Sequence, residues 1–201
     1  MKKILAILAI LITFAAGAFA QVPSSPVSLY AGGALSIPNG PDSFKDSFKN
    51  GYHGMLGVGY KVAPMFELVG KVEYHTFAFD FDAADGYDGY SGGTNKLWMY
   101  GADVKLSPNF PSLPFKPYAL AGVGYANIKQ SEFEGPASLQ LSVLNEFISE
   151  SQTELYWNLG VGANLVSSPA FSFFAQARYV NINTEGESAS FIPITLGLKF
   201  F

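Results

Sequence analysis

The stretch TELYWNLGVGANLV, residues 153–166, alternates apolar and polar side chains almost without a break. Leu155, Trp157, Leu159, Val161, Ala163 and Leu165 occupy one parity, and Tyr156, Asn158, Gly160, Gly162 and Asn164 the other. A period of two is that of a β-strand with one apolar and one polar face; a helix would scatter both sets around its circumference. Three more segments repeat the pattern. In 171–180, Phe171, Phe173, Ala175, Ala177 and Tyr179 stand against Ser172, Gln176 and Arg178, with Phe174 breaking the rule. In 66–75, Phe66, Leu68, Gly70, Val72 and Tyr74 oppose Glu67, Lys71, Glu73 and His75. In 98–106, Trp98, Tyr100, Ala102, Val104 and Leu106 oppose Met99, Gly101, Asp103 and Lys105.

A short Gly-Val-Gly element recurs at 57–59, 122–124 and 160–162, at spacings too irregular for a solenoid. In the third copy both glycines lie on the polar face. By analogy Gly57, Gly59, Gly122 and Gly124 do so too, which leaves room on a crowded inner wall for long polar side chains. Adding the two ends gives eight strands near 27–36, 51–62, 65–79, 95–107, 115–128, 153–166, 170–182 and 190–201. Their connections alternate. Ala63-Pro64, 107–114 and 167–169 are short or proline-rich, whereas 37–50, 80–94, 129–152 and 183–189 are mostly long and polar.

Residues 1–20, MKKILAILAILITFAAGAFA, read as a signal peptide cleaved after Ala20: Lys2 and Lys3, then an apolar run from Ile4 to Phe14, then small residues at the end. The apolar core is shorter than the ~20 residues of a spanning helix. The expected mature chain, 21–201, is one domain. It keeps 10 of the 12 basic residues against 16 acidic ones, a net charge of −6. That balance argues against nucleic acid as a partner, because phosphate binding calls for clustered Lys and Arg. With no Cys there is neither a disulfide framework nor a lipid-modified thiol. Only 14% of residues are charged and 15% are aromatic, yet no apolar run after the signal is long enough to cross a membrane as a helix.

Alternation alone fits two barrels with exchanged faces: a membrane barrel, apolar outside, and a secreted lipocalin-like barrel, apolar inside. Four observations favour the first. The apolar row of 153–166 extends ten residue steps, about 33 Å; at a tilt near 40° that is roughly the 25 Å height of a lipid-facing band. Aromatics on the apolar row gather at strand ends, Phe66, Phe171 and Phe200 beside short turns and Tyr74, Trp98, Tyr125, Trp157 and Tyr179 beside long loops, as in interfacial girdles. Short connections at one end and long ones at the other form the third observation. The last is the terminus, SFIPITLGLKFF, an amphipathic segment that stops on two phenylalanines.

On the signal peptide, the GVGY-type strands and this final strand, residues 27–201 resemble the small eight-stranded outer-membrane barrels, the group of the OmpA transmembrane domain, OmpX and the neisserial opacity proteins. The resemblance implies an eight-stranded antiparallel up-and-down transmembrane β-barrel in the outer membrane of a Gram-negative bacterium, with its N-terminus in the periplasm. It implies outer-membrane lipid as the surroundings and the barrel-assembly machinery as a partner during biogenesis, reading a terminal signal in Ile194, Leu196, Leu198, Phe200 and Phe201. The family pattern puts the last residue on the outward row. Parity here puts Phe200 there and leaves Phe201 to overhang at the periplasmic rim.

With the apolar row in lipid, Lys61, Glu67, Lys71, Glu73, His75, Asp103, Lys105, Arg178 and Lys199 point inward as a polar network. Their shared parity is informative, since an outward Lys or Arg at the midplane costs about 2–4 kcal/mol. An eight-stranded interior is just wide enough for side chains to fill. A rigid plug of paired charges is therefore expected over a narrow gated pore, with Lys71 meeting Asp103 and Arg178 meeting Glu73. His53 and His75 are the available imidazole bases, and neither sits in the His-x-Ser-Asn arrangement of the lipid A deacylase barrels. No catalytic residue, cofactor or resident metal is assigned. The acidic stretch 80–93, with Asp80, Asp82, Asp85 and Asp88, offers oxygen ligands to calcium, but its spacing departs from the EF-hand pattern and a solvated loop is preferred. Residues 136–150 are the most apolar long loop and suit either a helix or a strand extension. Three functions are compatible with this scaffold: a non-enzymatic surface protein acting through its loops or in envelope integrity; a channel for small or hydrophobic solutes; and, most distant, a lipid-modifying enzyme.

Overall fold

The computed structural model describes residues 26–81, 90–135, 151–184 and 186–201. The expected signal peptide lies outside them. Eight long strands close into one barrel: β1 (Val27–Gly40), β2 (Gly51–Ala63), β3 (Phe66–Phe77), β5 (Asn95–Leu106), β6 (Lys116–Gln130), β8 (Gln152–Ser167), β9 (Phe171–Ile182) and β10 (Ala189–Phe200). Each pairs antiparallel with its sequence neighbour among these eight, and β10 returns to β1, with Leu29 opposite Phe200 and Ile37 opposite Ile192. No strand edge is left open, which a chain in lipid requires because hydrocarbon offers its backbone no hydrogen bonds.

Alternation explains why these segments are strands and which way they face. Along β3 the even positions, Leu68, Gly70 and Val72, are exposed, while Glu67, Val69, Lys71, Glu73, His75 and Phe77 are buried. Phe174, the exception in the sequence, keeps its inward parity; it is 1% exposed and packs edge-on against Tyr30 with ring centroids 5.7 Å apart. The Gly-Val-Gly elements act through space. A Cβ on Gly59 would collide with Glu67, one on Gly122 with Asp103 and Asn158, and one on Gly160 with Arg178.

Several boundaries differ from those read in the sequence. β1 continues to Gly40 and β6 to Gln130, so two walls rise beyond the expected rim. The connection after β1 carries a helical turn, α1 (Asp42–Ser47), followed by a bridge between Phe48 and Phe79. Two-residue strands β4 (Ser91–Gly92) and β7 (Phe133–Glu134) pair above the barrel. Gly92 and Gly93 have φ of 88° and 63°, a region that glycine adopts without a Cβ penalty. A bulge between Asn164 and Val166 ends the regular register of β8 near its short turn.

Candidate functional site

The inward faces form a lumen graded along its axis. At its centre, Arg178 of β9 reaches across to Glu73 of β3 with both terminal nitrogens, Nη1 donating to Oε2 at 2.9 Å and Nη2 to Oε1. Lys71 lies between two carboxylates, its Nζ 2.8 Å from Asp103 and 3.3 Å from Glu73. Asn158 Nδ2 donates to Asp103 at 3.0 Å. Arg178 and Glu73 are each 1% exposed, and the forked geometry satisfies two oxygens at once, the strong form of such a pair. Register explains the meeting: Lys71 faces Gly101 and Arg178 faces Gly160, so long chains lie over glycines rather than against other side chains.

Below this centre, towards the short turns, Glu67 accepts hydrogen bonds from Ser28 Oγ at 2.5 Å, Tyr30 Oη at 2.8 Å and Lys199 Nζ at 2.7 Å. Lys105 is buried with its ammonium 3.6 Å from the Tyr118 ring centroid, and it donates to Tyr30 Oη at 3.3 Å. Lys61 departs from its expected place. It has inward parity, but it is the last such position before the β2–β3 turn and stands exposed at the mouth, outside the network.

Above the centre, His53 and His75 stack at 4.9 Å and share Ser36, whose Oγ is 3.1 and 2.9 Å from their Nδ1 atoms. Thr195 Oγ1 lies 2.9 Å from His53 Nε2. Ser36 and Thr195 escaped the sequence reading because a hydroxyl on an inner face carries no signal until its neighbours are known. Higher still the lumen turns apolar. Phe77, Leu97, Met99, Ala126, Val180, Ile182 and Phe191 pack into one dry cluster, with Phe44 of α1 and Phe48 against it. At this end of the barrel the inner face is apolar rather than charged. The signal was present: near the long loops, strands such as β9 and β10 carry apolar residues on both parities, as at Val180, Ile182 and Phe191.

The loops are themselves packed. Phe48 meets Phe79 at 5.6 Å, and Phe79 and Phe81 both meet Phe133, at 5.2 and 6.0 Å. Among the described residues no group of three or more His, Asp or Glu gathers as a metal ion would need. Asp80 pairs with Lys49 at 3.4 Å. Asp82, Asp85 and Asp88 lie outside the described residues, as does the apolar loop 136–150.

A closed eight-stranded barrel with an apolar exterior and a charged, filled interior narrows the comparison to membrane barrels, and the outer membrane protein beta-barrel domain family matches residues 6–200. This chain belongs to that family. Outer membrane protein PagN of Salmonella typhimurium is 29% identical over 154 residues, 72% of this chain and 63% of PagN; the chain thus spans less than two thirds of that relative's length. Neisserial surface protein A shares the fold at a TM-score of 0.60 and 16% identity, covering 88% of this chain and 97% of that one. Ail, the attachment invasion locus protein of Yersinia pestis, does so at 0.52 and 18%, covering 87% and 96%. The protein is an outer-membrane β-barrel of this type.

Outer-membrane barrels as a class carry long loops on the outer side and short turns on the periplasmic side, and the two ends of this barrel are named on that pattern. Trp98, Tyr125, Trp157 and Tyr179 are exposed on the outer wall towards the loops, and Tyr74 is half-buried there against Trp98 at 4.9 Å. Trp157 and Tyr179 form a second pair at 5.6 Å. Phe66 is exposed at the periplasmic end, where Phe171 and Phe200 face one another across β9 and β10. Ile194 and Leu196 are exposed on the outward row, with Leu198 half-buried beyond them. Phe201 lies at the mouth of the lumen, its ring 5.1 Å from Lys199 Nζ and its backbone N–H bonded to the Ala170 carbonyl at 3.1 Å.

Proposed function

We propose that this barrel is a non-enzymatic surface protein whose outer loops contact a partner. The observation that carries this reading is the filled lumen. The Arg178–Glu73 fork crosses its centre and the Phe77–Phe191 cluster caps its outer end, which leaves solute passage without a path and concentrates function on the loops. The histidine pair supports the same view: Ser36, His53 and His75 are all buried in the wall, beyond reach of a substrate. On this reading the barrel-assembly machinery inserts the chain after signal cleavage, and outer-membrane lipid is its resting environment.

Charge narrows the partner. Twelve of the chain's 16 acidic residues, but only two of its 12 basic ones, lie in the long connections left between the observed barrel strands, 41–50, 78–94, 131–151 and 183–188. Ail has been crystallised with the heparin analogue sucrose octasulfate. A sulfated ligand of that kind would be repelled by the acidic loops here, which favour a basic or neutral protein surface. The aromatic packing among Phe48, Phe79, Phe81 and Phe133 holds this surface in shape before a partner arrives. Protein in zwitterionic nanodiscs is expected to be retained on immobilised polylysine and to pass through heparin, the retention falling when 80–93 and 136–150 are replaced by short Gly-Ser turns. Retention on heparin, or polylysine binding that survives the loop replacement, would contradict the proposal.

A further inference from the structure

We propose that the periplasmic mouth of the barrel is a binding site for a phosphate-class anion, held by Lys61, Lys116 and Lys199. The mouth opens into a cavity of about 700 Å³ lined by these three lysines and by Ser28, Glu67 and Phe201, within the size range of small-molecule sites.

The charges there do not balance. At the centre of the lumen two cations, Lys71 and Arg178, meet two anions, Glu73 and Asp103. At the mouth, Lys61, Lys116 and Lys199, with Lys105 just above, face one acidic side chain among the described residues lining the cavity, Glu67, which already accepts from Ser28, Tyr30 and Lys199. Lys61 and Lys116 lie close enough to Lys199 to repel its ammonium, and Lys199 repels that of Lys105. Lys105, 3% exposed, has turned to the rings and hydroxyl of Tyr118 and Tyr30 rather than to a carboxylate. An excess of positive charge in a concave mouth focuses field on any anion that enters.

The chemistry of the ligand follows from the arrangement. Lys61 comes from β2, Lys116 from β6 and Lys199 from β10, so lysines from three different strands line one cavity. A planar carboxylate neutralises one charge and presents two oxygens in one plane. A tetrahedral, doubly charged oxyanion can accept from several sides at once, and lysine binds phosphate as a mobile point charge. The remaining volume accommodates an organic substituent. Two sources supply this chemistry: a soluble phosphorylated molecule of the periplasm, and the headgroup of an anionic phospholipid in the inner leaflet beside the mouth.

The test is calorimetric titration of pyrophosphate into the protein held in phosphatidylcholine nanodiscs, repeated with phosphatidylglycerol added to the bilayer. Saturable binding is expected, weakened about tenfold or more in the double variant Lys61→Gln/Lys116→Gln, which loses two charge contacts. Both side chains are exposed and outside the paired network, and heat-modifiable gel migration checks that the variant folds. Pyrophosphate affinity that falls when phosphatidylglycerol is present identifies the lipid headgroup as the occupant, and unchanged affinity identifies a soluble phosphate; either supports the site. No saturable binding, or equal binding by the double variant, overturns it.

Discussion

Arg178 and Glu73 show how much depends on single side chains inside this barrel. Burying either charge alone costs several kcal/mol, and the pair is tolerable because each fills the other's hydrogen-bonding sites. Arg178→Met is expected to destabilise the folded barrel by about 3–5 kcal/mol by stripping Glu73 of its forked partner and leaving it only the shared Lys71, whereas Arg178→Met/Glu73→Gln recovers much of that loss. Guanidinium unfolding in detergent micelles measures both; equal stability losses from the single and double variants would show that the pairing is not what matters. The pair was legible in the sequence, because parity put Lys71, Glu73, Asp103 and Arg178 on one face and an eight-stranded lumen forces opposite walls into contact. Ser36, Thr195 and Tyr30 were not legible. Their roles come from which neighbours the closed register brings within 3 Å or so, and alternation carries no register across the barrel.

The strands were legible wherever one face meets lipid and the other meets charge. β3, β5 and β8 follow the alternation nearly to their ends, so their cores were fixed by period alone. Their outer ends were obscured because the lumen becomes apolar there and both faces carry similar residues. Glycine placement is a second property of the element. Gly122 lies under Asp103 and Asn158, whereas a Cβ on Gly54 meets nothing within 4 Å. Gly122→Ala should therefore cost about 1–3 kcal/mol through overpacking, with Gly54→Ala close to neutral in the same unfolding assay; equal effects would remove the spatial argument. For β10 we propose that Phe200, paired with Phe171 and Leu29 on the outward row, is the principal aromatic of the assembly signal. Phe200→Ala should then reduce the outer-membrane yield of heat-modifiable protein more than Phe201→Ala, and the reverse order would move the role to the last residue.

At the scale of the whole molecule, the chain separates charge along the barrel axis. Acidic residues crowd the outer loops, balanced pairs fill the middle, and lysines outnumber the one side-chain carboxylate, Glu67, at the periplasmic mouth. An apolar cap between loops and pairs keeps the two ends apart electrically and sterically. Fold class and the lipid-facing wall could be read from the sequence because both are dictated by period and by strand length against bilayer thickness. The partner surface could not, because loop residues obey neither constraint. The loops carry the function only if the lumen is closed. Planar-bilayer recording of the purified, heat-modifiable protein tests this most directly: no discrete conductance steps are expected, and steady, ion-selective steps from the folded protein would show an open lumen.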